Sequence, residues 1–96
     1  MLLNRLKTLI KEDPLREEID LSNQAIYVLD TNSVDLLSRF KNLKILNLSD
    51  NYISKLPLTL DLLKNLHSID LNGNPISEIE TAVDALKQVG PNLISL

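Results

Sequence analysis

The chain repeats itself. The block Leu43-Lys44-Ile45-Leu46-Asn47-Leu48-Ser49-Asp50-Asn51-Tyr52-Ile53 is answered 23 residues later by Leu66-His67-Ser68-Ile69-Asp70-Leu71-Asn72-Gly73-Asn74-Pro75-Ile76. A period of this length means a stack of similar units, each touching mainly its neighbours and unable to bury its apolar face alone. Such a stack presents one continuous surface drawn from equivalent positions.

The register runs beyond the two clear copies. Ile53, Leu56, Leu60 and Leu63 recur as Ile76, Ile79, Val83 and Leu86. Upstream, Ile19, Leu21, Gln24, Ile26 and Leu29 match Leu46, Leu48, Asn51, Ile53 and Leu56, with a four-residue insertion before Leu36 or Leu37, Phe40 and Leu43. That makes the first copy about 27 residues, inside the range of roughly 20–29 for such units. Val89, Leu93 and Leu96 open a further copy that breaks off at its second leucine position.

Within each copy the alternation Leu46-Asn47-Leu48 is the two-residue period of a strand. Leu46 and Leu48 therefore point inward, while Ile45, Asn47 and Ser49 point outward. Strands of this kind, stacked in parallel about 4.8 Å apart and joined by longer returns, form a right-handed coil with the sheet as its inner wall. Asn51 and Asn74 fall where the chain turns out of the strand, and an amide there can both donate to and accept from buried backbone groups, which makes them a structural ladder. Gln24 holds that place in the first copy, and its extra methylene disfavours an equivalent bond. Gly73 and Pro75 around Asn74 belong to a tight turn.

Leu43-x-x-Leu46-x-Leu48-x-x-Asn51-x-Ile53-x-x-Leu56 and its echo Leu66-x-x-Ile69-x-Leu71-x-x-Asn74-x-Ile76-x-x-Ile79 resemble the leucine-rich repeat family, intracellular type. The resemblance spans residues 16–96. It implies an α/β fold: a short right-handed solenoid, a horseshoe arc, with a concave parallel sheet of three or four strands.

The segments between strands carry helix signals. Asn32-Ser33-Val34-Asp35 and Thr81-Ala82-Val83-Asp84 each place an acid two or three residues after a capping residue, which predicts short helices at about 33–41 and 80–89. Gly90-Pro91 is a helix stop. Pro57 suits the first position of a turn or short helix. Residues 2–12 follow a different rule, with Leu2, Leu3, Leu6, Leu9 and Ile10 at three- and four-residue spacing. They predict an amphipathic helix, ended by Asp13-Pro14, whose apolar face seals the open end of the stack. The expected organisation is one domain: a capping helix over 1–14, then repeats over 15–96, about three plus an incomplete fourth.

Composition narrows the function. A net charge of −3 with scattered Lys and Arg gives no basic stripe for a phosphate backbone, so no nucleic acid partner is expected. Without cysteine there is neither a disulfide nor a thiolate metal site, which favours a cytoplasmic setting. Arg5 and Lys7 interrupt the leucines near the start, and no apolar run suggests a signal peptide or membrane span. His67, the single histidine, has no catalytic companions, the nucleotide-binding glycine motifs are lacking, and pairs such as Glu17-Glu18 lack ligand spacing. No catalytic, cofactor-binding or metal-binding residue is expected.

What remains is the outward face of the sheet. Its positions are Glu18, Asp20 and Ser22 in the first strand, Ile45, Asn47 and Ser49 in the second, and Ser68, Asp70 and Asn72 in the third. These small polar and acidic groups keep an exposed sheet soluble. They also suit a protein partner with a basic segment, the row Asp20, Asn47 and Asp70 receiving it. The expectation is thus a non-enzymatic interaction scaffold. The alternative is a structural part of a cytoskeletal, centriolar or ciliary assembly, built through the C-terminal edge or convex side. The incomplete last copy predicts continuation or self-association at Leu93 and Leu96.

Overall fold

The computed structural model describes residues 2–57, 60, 62–77, 80 and 84, and the backbone of 93–95. Its elements are α1 (Leu2–Glu12), β1 (Glu18–Asp20), α2 (Thr31–Ser38), β2 (Ile45–Asn47), β3 (Ser68–Asp70) and β4 (Leu93–Ser95). The four strands form one parallel sheet in the order β1-β2-β3-β4. Sequence order and spatial order coincide, as a stack of strand-and-return units requires.

The echo sets the register. Glu18, Ile45 and Ser68 pair across the sheet, as do Ile19, Leu46 and Ile69, and then Asp20, Asn47 and Asp70. The middle column is buried. Behind it lie further layers at equivalent offsets: Leu21, Leu48 and Leu71; Ile26 and Ile53; Phe40 and Leu63; Leu43 and Leu66. The core is therefore aliphatic, with Phe40 as its aromatic member among the described residues.

The fourth strand corrects the sequence register. Leu93 takes the place of Ser68 and Ile94 that of Ile69, so Leu93 does not hold a leucine position of a fourth copy, and Leu96 lies outside the described residues. Ile94 continues the backbone column of Ile19, Leu46 and Ile69, and because side chains alternate with a period of two, register decides which residue can be inward.

The first return helix also starts and stops early. Asp30 is the N-cap, and its carboxylate accepts a 2.7 Å bond from the Ser33 N–H, so Ser33 lies inside the helix and is buried. Arg39 ends it, its N–H donating to the Leu36 carbonyl and the Phe40 N–H to that of Leu37, and the helix does not reach 41. A carboxylate one turn ahead of the Asn32-Ser33 pair outcompetes both as a cap. The helix expected over 80–89 and the Gly90-Pro91 stop lie outside the described residues. Helix α1 covers the span its periodicity predicts; Leu6 is buried, and Leu2, Leu3, Leu9 and Ile10 pack half-buried against the same core.

Candidate functional site

The turns leaving the strands share one construction. Asn51, 3% exposed, accepts at Oδ1 from the N–H groups of Gln24 and Ile26, and its amide donates to the carbonyls of Leu21, Leu48 and Ser49. Asn74 does the same one step on: Oδ1 accepts from Ile53 N–H, and the amide donates to Leu48, Leu71 and Asn72. Each asparagine thus serves its own turn and the turn of the copy before it. Gln24 has no earlier copy to reach, and its longer amide instead donates back to the Ser22 carbonyl at 3.2 Å.

A second column recurs beside the asparagines. Asn23, Asp50 and Gly73 occupy equivalent positions and all hold positive φ, at 53°, 57° and 77°. Ala25 also sits at φ 55°, a conformation that costs a side chain about 1 kcal/mol. The N–H groups on either side of it are the two that Asn51 Oδ1 holds.

On the outward wall, the structure brings the nine expected residues into three aligned columns. Asp20, Asn47 and Asp70 each accept at Oδ1 a bond from the N–H two residues ahead, in Ser22, Ser49 and Asn72, at 2.9–3.0 Å. This row therefore has a structural duty at the strand exits that the sequence did not announce, and it asks only for an Asx oxygen. Charge is the part left free. The Asp20 carboxyl is held below the ordinary carboxylate range by the side-chain and backbone hydrogen bonds from Ser22, with a smaller contribution from the Arg5 charge. Glu18 and Asp20 are exposed, Asn47, Asp70, Ser22, Ser49 and Ser68 half-buried, and Asn72 exposed. Ile45, at 41% exposure, is the apolar member.

The edges of the wall are finished with polar side chains. Arg16 Nε donates to the Glu18 carbonyl at 2.8 Å, so with Gln24 on Ser22 one carbonyl of β1 and one of the turn after it are occupied. Behind this edge a cleft of about 250 Å³ lies between α1 and β1, lined by Arg5, Arg16 and Asp20 among others. At the strand entrances the Glu17 carbonyl accepts from Lys44 and Ile45, and the Lys44 carbonyl from His67 and Ser68. Lys44 Nζ sits 3.0 Å from Glu17 Oε1. His67 is exposed in that rim.

One feature of the surface escapes a reading of the repeat. Tyr27 and Tyr52 stack with ring centroids 4.8 Å apart and planes 15° from parallel, and they are 66% and 53% exposed. Val28, which follows Tyr27 in sequence, is exposed as well. The available signal was compositional, since the chain has only three aromatic residues.

Among the described residues no group of three His, Cys, Asp or Glu is placed to hold a metal ion, and no helix is long and apolar enough to cross a membrane. Parallel strands, one per repeat, with an asparagine bridging each turn to the one before, define a repeat protein of strand-and-return units. The chain belongs to the leucine-rich repeat family: the family model described as Leucine Rich repeats (2 copies) matches residues 41–88. No match to a curated protein was found. Repeats of this family generally mediate protein–protein interaction.

Proposed function

We propose that the chain is a non-enzymatic binding module, a short leucine-rich repeat arc whose sheet face receives a basic segment of a partner protein. The observation that carries this is the wall itself: its nine outward positions hold three carboxylates, in Glu18, Asp20 and Asp70, and no Lys or Arg. These groups stand on paired strands, and the two aspartates are fixed by backbone hydrogen bonds, so little ordering is needed on binding. Fixed charge of one sign on a rigid surface speeds and orients association with the opposite sign. Ile45 adds an apolar contact in the middle. In this reading α1, with Leu6 in the core, is the cap of the first repeat, and a cysteine-free chain suits a reducing, cytoplasmic compartment.

The test uses Asp20→Asn with Asp70→Asn. Asn47 makes the same Oδ1 bond as its neighbours, so the pair removes charge and keeps geometry. Affinity capture with the intact chain, at about 50 and 300 mM salt, should recover a partner whose binding falls in the variant and at the higher salt. Equal capture by the variant removes the wall from consideration.

A further inference from the structure

We propose that the stacked Tyr27–Tyr52 pair anchors an arginine side chain of the incoming basic segment. This rests on the reading of the wall above and adds the residue type that the segment must carry.

Three observations bring it together. First, the chain places two of its three aromatic residues in solvent and the third, Phe40, in the core. Exposed single apolar residues are ordinary, but two large rings held together from different repeats form a surface of some size. Second, the backbone fixes them. Tyr52 N–H donates to the Ile26 carbonyl at 2.8 Å, which ties the turn bearing one ring to the residue preceding the other. The rings are nearly parallel, each giving one face to its neighbour, and both residues are exposed. Third, the chain next to the rings carries more acid than base. Asp50 stands two residues before Tyr52 and Asp30 three after Tyr27, both exposed, against one nearby base in sequence, Lys55.

A guanidinium is the group these features select. It is planar, lies flat on an aromatic face and sheds water more readily than an ammonium, so Arg is preferred to Lys on such a platform. The pair follows β1 and β2, the first two strands of the wall, along the chain.

A randomised 12-residue peptide library, displayed and selected on the immobilised chain, tests this without a known partner. Peptides recovered on the wild type should favour Arg over Lys by about two- to fivefold, the range a surface cation–π contact supports. Tyr27→Phe with Tyr52→Phe should keep the preference, because the faces remain. Tyr27→Ser with Tyr52→Ser should abolish it, with unchanged circular dichroism establishing that the variant is folded. The Asp20→Asn, Asp70→Asn variant should recover fewer basic peptides of either kind while keeping the Arg-to-Lys ratio.

An unchanged ratio on the serine variant overturns the platform and leaves the acidic wall standing. Undiminished recovery of basic peptides on the asparagine variant, with the ratio lost on the serine variant, does the reverse. Selection of no basic peptides by the wild type removes both. Tyr27 and Tyr52 ring resonances that shift when the chain alone is concentrated assign the platform to a second copy and overturn the arginine proposal.

Discussion

The side chain of Asp50 fills the space that a side chain at Gly73 would need: a Cβ there would run into Asp50 Oδ1 and come within 3.2 Å of Asp50 Cα and N. The two residues hold equivalent places in successive copies, both at positive φ. Gly73→Ala is therefore expected to cost about 2 kcal/mol in urea denaturation, from left-handed strain plus contact. Asp50→Gly, which relaxes its own φ of 57°, should be nearly neutral, and adding it to Gly73→Ala should return only part of the loss, since the backbone contacts and the φ at 73 persist. A Gly73→Ala chain within about 0.5 kcal/mol of wild type would contradict the packing described.

Asn51 is the more buried of the two ladder residues and serves five backbone groups. Asn51→Ala should cost about 3 kcal/mol or more, because buried N–H and C=O groups lose their partners. Asn74→Ala, at a half-buried site, should cost less. The reverse ranking in denaturant titrations would mean that burial does not govern the ladder. Ala25→Gly should stabilise by several tenths of a kcal/mol, since glycine adopts the left-handed conformation without a Cβ penalty.

Asp30 couples α2 to pH. Its carboxyl is held below the ordinary value of 3.8 by the backbone and side-chain hydrogen bonds from Ser33. A lowered folded value means that the cap's charge-dependent stabilisation is complete above the unfolded value and is lost as pH falls through the folded one. Asp30→Asn should keep most of the cap at neutral pH and flatten the fall in stability below about pH 4. Asp30→Ala should cost about 1 kcal/mol at pH 7. Thermal melts from pH 7 down to about 2 with identical acid slopes in wild type and Asp30→Asn would rule the coupling out.

On the wall, Asp20→Asn and Asp70→Asn should leave stability within about 0.5 kcal/mol, as Asn47 shows that an amide oxygen serves the same turn. Asp20→Ala, which removes the acceptor for Ser22 N–H, should destabilise more than Asp20→Asn. Equal effects from Ala and Asn would mean that the turn bond contributes nothing.

Leu6 is the buried residue of α1. Leu6→Ala should cost about 2–5 kcal/mol, and Leu3→Ala, at a half-buried position, distinctly less. Loss of the helical signal without loss of global stability in Leu6→Ala would detach α1 from the cooperative core.

How far the structure was legible depended on whether a feature repeats. The column Ile19, Leu46 and Ile69, the turn asparagines and the outward row all follow from one offset, because equivalent residues in parallel strands must lie side by side. What the offset does not carry was missed. Asp30 displaced Asn32 and Ser33 as cap because several oxygens compete for the same N–H groups and only geometry decides. Asn23 and Asp50 at positive φ were hidden because only Gly73 of that column has a composition that shows it. Tyr27 and Tyr52 touch although they are not equivalent positions, so aligning the copies never pairs them. The place of Leu93 opposite Ser68 was masked by a return whose length departs from 23.

The reach of each turn asparagine is one-sided. Asn51 holds Gln24, Ile26 and Leu21, Asn74 holds Ile53 and Leu48, and among the described residues neither bond set runs forward along the chain. The asparagine bonds therefore have a direction that the backbone ladder, which ties each copy to both neighbours, does not. When the second copy opens, the turn before it loses Asn51, whereas when the first opens, Ile53 N–H keeps Asn74. Protection from hydrogen exchange at Gln24 and Ile26 is therefore a gauge of the second repeat as well as of the first.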